Sequence, residues 1–142
     1  PAGNGNHDVK WSSLNAKIPE TGSILVGATT YGSTGNDNPR YSSSNYGKRV
    51  AVSAPGDPAP SYGVALAADG SACRGDFGMT SAAAAHVAGV VALMLRANPT
   101  PTPAKIKNIL KALPKGNISN LGGKKMGRFL LATTAVDEAK KK

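Results

Sequence analysis

The chain has 142 residues, of which 40% are hydrophobic and only 5% aromatic, and a formal net charge of +9. That length allows one domain. The abundance of small residues suits tightly packed α/β layers, and no run reads as long enough to cross a bilayer. A single cysteine, Cys73, excludes an internal disulfide; its default reading is a buried free thiol, with a surface thiol or a bridge to another segment left open.

The charge is concentrated. Residues 1–95 carry six Lys/Arg and six Asp/Glu, whereas residues 96–142 carry eleven Lys/Arg against Asp137 and Glu138. We read this block as a solvated basic face, with a frayed basic tail over residues 137–142. It lacks the aromatic-and-glycine pattern of an RNA-binding sheet and any recognition-helix signature, which argues against nucleic acid. A basic module for anionic polymers is the alternative reading.

In chain order, residues 6–20 are polar and read as loop around Trp11. Ser23–Thr30 is a near-continuous apolar run, the kind of strand buried on both faces of a parallel sheet. Residues 32–39 are rich in turn formers, and Val50–Ser53 reads as a short strand. Residues 56–63 read as irregular, Tyr62–Leu66 as a further strand, and residues 67–77 as a loop. Ser81–Ala97 is apolar on every side, so it reads as a helix running through the core, ended by Asn98 and Pro99. Thr102 caps the next helix, with Pro103 at its first position. Ile106, Ile109, Leu110 and Leu113 then fall on one stripe, and Pro114 stops it. Residues 127–131 read as a late strand and residues 132–141 as a terminal helix. Strands alternating with helices imply an α/β layered fold around a parallel sheet.

The densest signal is residues 78–89, Gly-Met-Thr-Ser-Ala-Ala-Ala-Ala-His-Val-Ala-Gly. Ser81 there lies in the first turn of the apolar helix, beside backbone N–H groups with no partner inside the helix and at the positive end of its dipole. Such groups suit negative charge developing next to the serine. The surrounding small residues let a substrate backbone approach.

This stretch resembles the nucleophile segment of subtilisin-like serine proteases, Gly-Thr-Ser-x-Ala-x-Pro-His-Val-Ala-Gly. Aligned on His86–Gly89, Ser81 falls on the nucleophile and Thr80 on the preceding threonine. Met79 stands at the family glycine and Ala85 at the family proline. Pro1-Ala2-Gly3-Asn4 resembles the family segment Ala-Ala-Gly-Asn, whose asparagine is the side-chain donor of the oxyanion hole. Between and beyond these segments, residues 23–29, 41–47, 50–56 and 98–107 resemble family segments in the family order.

The resemblance implies a layered parallel-sheet subtilisin-like fold, with residues 1–142 forming the C-terminal portion of one catalytic domain. Ser81 is carried over as nucleophile, Asn4 as oxyanion donor, and Ala2, Gly3 and Thr80 as substrate-site residues. The family's aspartate and histidine lie upstream of the asparagine, so an N-terminal segment or a separate chain is expected to supply them. His86 is not that base, because five helical residues turn it about 140° from Ser81; it reads as a buried structural histidine, and His7 as a surface residue. The implied activity is endopeptidase cleavage of a polypeptide through an acyl-enzyme, in an extracellular or secretory/vacuolar setting. The alternative is an inactive homologue or fragment with a structural role. Taken alone, the segment is expected to expose a sheet edge and one side of the apolar helix.

Structural calcium is possible by the same resemblance, but Asp57, Asp69 and Asp76 are scattered and no ligand is assigned. Arg74-Gly75-Asp76 carries little weight. Asn117-Ile118-Ser119 is a glycosylation acceptor pattern that matters only on a secretory route.

Overall fold

The computed structural model describes residues 1–10, 21–30, 38–66, 72–114, 116, 118–119 and 122–141. The readings made for Trp11, Asp69, Asn117, Lys142 and the side chains of Cys73, Arg74 and Asp76 lie outside the described residues. In chain order the elements are β1 (Leu25–Thr29), β2 (Val50–Pro55), β3 (Ala59–Leu66), β4 (Ala72–Phe77), α1 (Met79–Ala97), α2 (Pro103–Ala112), β5 (Arg128–Phe129) and α3 (Ala132–Lys140).

The organising layer is a parallel sheet in the order β1–β2–β5. Val26 lies opposite Val52 and Ala28 opposite Ala54, while Val52 and Ser53 pair with Arg128 and Phe129. Side chains alternate across a strand. Val26, Ala28, Val52 and Ala54 therefore share one face, and there they join Val87, Val90 and Met94 of α1, Ile106 and Leu110 of α2, and Ala135 and Ala139 of α3 in a single core. On the opposite face, Gly27 leaves space that Met126 fills, and Ser53 Oγ donates to Gly127 C=O at 3.2 Å. Both faces of β1 and β2 are thus covered, which is why their sequences run apolar without alternation. Met94 and Leu110 are fully buried; truncating either to alanine costs about 2–5 kcal/mol.

α2 forms as its sequence dictates. Thr102 Oγ1 accepts from Lys105 N–H at 3.3 Å, Pro103 follows at the first position, and Ile106, Leu110 and Leu113 are buried while Ile109 packs partly exposed. α1 begins at Met79, two residues before the start expected from sequence.

Several other expectations change. Ala59–Leu66 and Ala72–Phe77 form a two-stranded antiparallel ribbon, β3–β4: the strand expected over Tyr62–Leu66 is present but starts at Ala59, and Ala72–Phe77 is a strand rather than loop. Pro60 hides this in the sequence, but both strands of a ribbon are edges, where proline is tolerated. Residues 137–140 belong to α3 instead of a frayed tail: Ala139 is buried, and Lys140 pairs with Asp137 at 2.8 Å. The outer edge of β1 is not bare, since Val26 C=O accepts from Ala2 N–H and Ala28 C=O from Tyr41 N–H. Ala28 N–H donates to Ser44 Oγ at 3.0 Å.

α1 does not run through the middle of the core. It buries Ala83, Val87, Val90 and Met94 but leaves an outer face, with Leu93 50% exposed. Contrary to the sequence expectation, its 19 residues are also apolar and long enough to cross a bilayer by length and composition alone. The helix is nevertheless packed against β1, β2 and α3.

Candidate active site

The carboxyl ends of β1 and β2 converge on the amino end of α1. Gly56, just after β2, is the joint: its N–H donates to Thr29 C=O at 2.7 Å and its carbonyl accepts from Met79 N–H at 2.6 Å. A Cβ on Gly56 would lie 2.6 Å from Met79 O and 2.7 Å from Ala28 Cβ, so only glycine lets the helix start this close to the sheet. Nearby, Thr30 Oγ1 donates to Asp57 at the same ends.

Met79 takes φ +58°, the left-handed region that glycine enters freely and a methionine only with strain. Its side chain lies outward, with Ser43 Oγ 3.8 Å from its sulfur.

The first turn of α1 meets residues 1–7 directly, across 76 positions of sequence. Asn4 Oδ1 accepts from Thr80 Oγ1–H at 2.7 Å and from Thr80 N–H at 3.2 Å. Thr80 Oγ1 in turn accepts from Gly3 N–H at 3.3 Å. A backbone N–H is only a donor, so the atom facing it must be the amide oxygen. This fixes the orientation of the carboxamide and leaves Asn4 Nδ2 as its outward end. Among the described residues, Nδ2 of Asn4 and the N–H of Ser81 find no acceptor within the protein. Ser81 itself is exposed, next in sequence to the Thr80 that binds Asn4, at a helix end where negative charge is favoured.

The sequence-expected residues divide. Asn4, Gly3, Thr80 and Ser81 are brought together. Thr80, expected at the substrate, is instead 0% exposed and spends its hydroxyl on Asn4 and Gly3. Ala2 and Gly3 keep their place beside this group, but their carbonyls accept from Asn45 Nδ2 at 2.9 Å and Asn45 N–H at 2.8 Å. His86 is exposed rather than buried; its Nδ1 lies 3.1 Å from Pro55 O, and a carbonyl only accepts, so Nδ1 carries the proton. His7 is exposed, and neither histidine hydrogen-bonds Ser81.

Asn45 is the residue that sequence reasoning missed. Its partners lie about 40 positions away, and only the glycines on either side of Asn4 signal a close approach there. Among the described residues, no three His, Cys, Asp or Glu side chains cluster, so no ligand set is assigned to the calcium that the resemblance allows.

The chain is similar to known proteins over most of its length. Residues 2–123 match the model of the subtilase family. The chain is 33% identical over 132 residues to an extracellular serine proteinase of Thermus sp. (strain Rt41A), covering 93% of this chain and 29% of that protein. The structure of a cold-adapted subtilisin-like serine proteinase matches with TM-score 0.66 and 32% identity, over 92% of this chain and 43% of its own. A protease of Pseudoalteromonas arctica PAMC 21717 matches with TM-score 0.65 and 29% identity, over 97% of this chain and 41% of its own. The chain spans less than half the length of these relatives.

Proposed function

The chain belongs to the subtilase family, and we propose that it supplies the nucleophile and the oxyanion hole of a serine endopeptidase. The observation that carries this reading is that Asn4, whose Nδ2 finds no acceptor among the described residues, is bonded through Oδ1 to Thr80, the residue before Ser81, whose own N–H is likewise without an acceptor.

Ser81 Oγ attacks the carbonyl carbon of the scissile peptide, and a histidine takes its proton. The carbonyl oxygen becomes an oxyanion and rests between the two donors. The same histidine returns the proton to the leaving amine, and water then releases the acyl group. Histidine and aspartate come from a segment beyond these residues, because the His86 ring is bonded to Pro55 C=O and among the described residues no histidine ring is bonded to Ser81. Ala2 and Gly3 form one wall for the substrate residue before the cut, and Thr80 supports that wall from behind. A polypeptide is the substrate. The exposed outer face of α1 is cover for further chain of the same catalytic domain rather than a membrane span, since the opposite face is already packed on the sheet. An extracellular setting follows the Thermus relative.

The test is active-site labelling. With the segment carrying histidine and aspartate present, a fluorophosphonate probe should modify Ser81, and Ser81→Ala should abolish both labelling and peptide cleavage. Labelling that persists in Ser81→Ala would overturn the assignment.

A further inference from the structure

We propose that Asn45 is a positioning residue for the oxyanion site: its carboxamide clamps the backbone on both sides of Asn4 and so sets where Asn4 Nδ2 points. The proposal rests on the endopeptidase reading for its kinetic consequence, but its structural content stands on its own.

The clamp uses both ends of one amide. Asn45 Oδ1 accepts from Gly5 N–H at 3.0 Å and His7 N–H at 2.8 Å, after Asn4, while Nδ2 donates to Ala2 C=O at 2.9 Å, before it. The two N–H donors fix which end is oxygen. The Asn45 backbone N–H adds a bond to Gly3 C=O at 2.8 Å. Asn6 N–H donates to Ser43 C=O at 2.8 Å, and Tyr46 N–H to His7 C=O at 2.9 Å. Residues 2, 3, 5, 6 and 7 are therefore all tied to residues 43–46, while the side chain of Asn4 reaches the other way, to Thr80.

Gly3 is part of the same device. It takes φ +97°, and a Cβ there would lie 2.7 Å from Asn45 Nδ2. Residues 1–7 form no helix or strand. Without the carboxamide, the backbone beside Asn4 loses three bonds, and Asn4 is held by the Thr80 contacts and the backbone bonds of Gly3, Asn6 and His7 to residues 43–46. Misplacing a catalytic group by about 1 Å costs on the order of 10²-fold in rate.

The experiment is a double-mutant cycle in the complete protease. Asn45→Ala removes the clamp. Asn45→Asp keeps the acceptor for Gly5 and His7 but sets a carboxylate oxygen against Ala2 C=O; it serves where the alanine variant folds poorly. Either should lower kcat by about 10- to 100-fold with little change in KM. In an Asn4→Ala background, neither should lower it further, because the group they position is gone. An equal loss in both backgrounds, or an unchanged kcat, would overturn the proposal.

A second arm needs no catalysis. In Asn45→Ala, amide hydrogen exchange should rise at Gly5, His7 and Thr80 and stay unchanged at Val87 and Leu110. Unchanged exchange at Thr80 would overturn the clamp even if activity fell. If a fluorophosphonate fails to label Ser81 in the complete protein, the endopeptidase reading falls, and the exchange arm alone decides the role of Asn45.

Discussion

Replacing Met79 by glycine and by alanine separates the backbone strain at the start of α1 from the loss of its side chain. Met79 sits at φ +58° and is 39% exposed. An L-residue in that region costs roughly 1–2 kcal/mol relative to the right-handed one. Alanine keeps this cost and glycine removes it. Against that, glycine gains chain entropy on unfolding, which disfavours its folded state by about 0.5–1 kcal/mol relative to alanine. Both variants lose the same side-chain contacts, including the approach of Ser43 to the sulfur. The balance favours Met79→Gly over Met79→Ala by about 0.5–1 kcal/mol, the reverse of the order in an ordinary helix position. With a urea slope of about 1–3 kcal/mol per molar, the midpoints should differ by roughly 0.2–1 M. Urea unfolding followed by circular dichroism reads this directly. Alanine more stable than glycine by about 1 kcal/mol would show that position 79 is not left-handed, and would remove the strained start of α1 beside Ser81.

The remaining predictions concern the site and the helices. Asn4→Ala should lower kcat of the complete protease by about 10²- to 10³-fold with KM nearly unchanged, as loss of one oxyanion donor does elsewhere; a KM-only effect would assign Asn4 to binding. Thr80→Val leaves Asn4 Oδ1 and Gly3 N–H short of a partner at a fully buried position. It should destabilise by about 1–3 kcal/mol and slow catalysis; an unaffected kcat would show that Thr80 does not hold Asn4. Thr102→Ala removes the α2 cap and should cost about 1 kcal/mol in urea unfolding, with a loss below a few tenths contradicting the cap. The hydrogen bond from Lys140, with its charge, holds the Asp137 carboxyl below its ordinary 3.8. A lowered carboxyl pKa stabilises the fold above the unfolded value, and that contribution is lost as pH falls through the lowered one. Lys140→Met should move the NMR midpoint of Asp137 up toward that ordinary value, whereas an unmoved midpoint would remove the pairing.

Legibility in the sequence followed the range of the forces involved. α2 was readable to the residue because Thr102, Pro103 and the Ile106–Leu113 stripe act within a few positions of one another. β1 and β2 were readable as strands because burial on both faces writes a continuous apolar run. Of the β3–β4 ribbon only Tyr62–Leu66 was read as strand, because the rest is held by backbone ladders that Pro60 and its small residues do not announce. The exposure of α1 was misread for a different reason: composition shows what a helix can bury, and only its neighbours decide which face it does bury. At the site, Ser81 and Asn4 were visible through their motif neighbourhoods. The supporting pieces, Thr80 as holder and Asn45 as clamp, depend on contacts about 40 and 76 positions long, and nothing local encodes them.

The most direct measurement is a crystal structure of the complete protease carrying a peptide aldehyde bound covalently to Ser81. The hemiacetal oxygen is expected to lie about 2.7–3.1 Å from both Asn4 Nδ2 and Ser81 N. An oxygen turned to solvent, or an Asn4 carboxamide directed away from the adduct, would contradict the convergence of these two groups on one oxyanion.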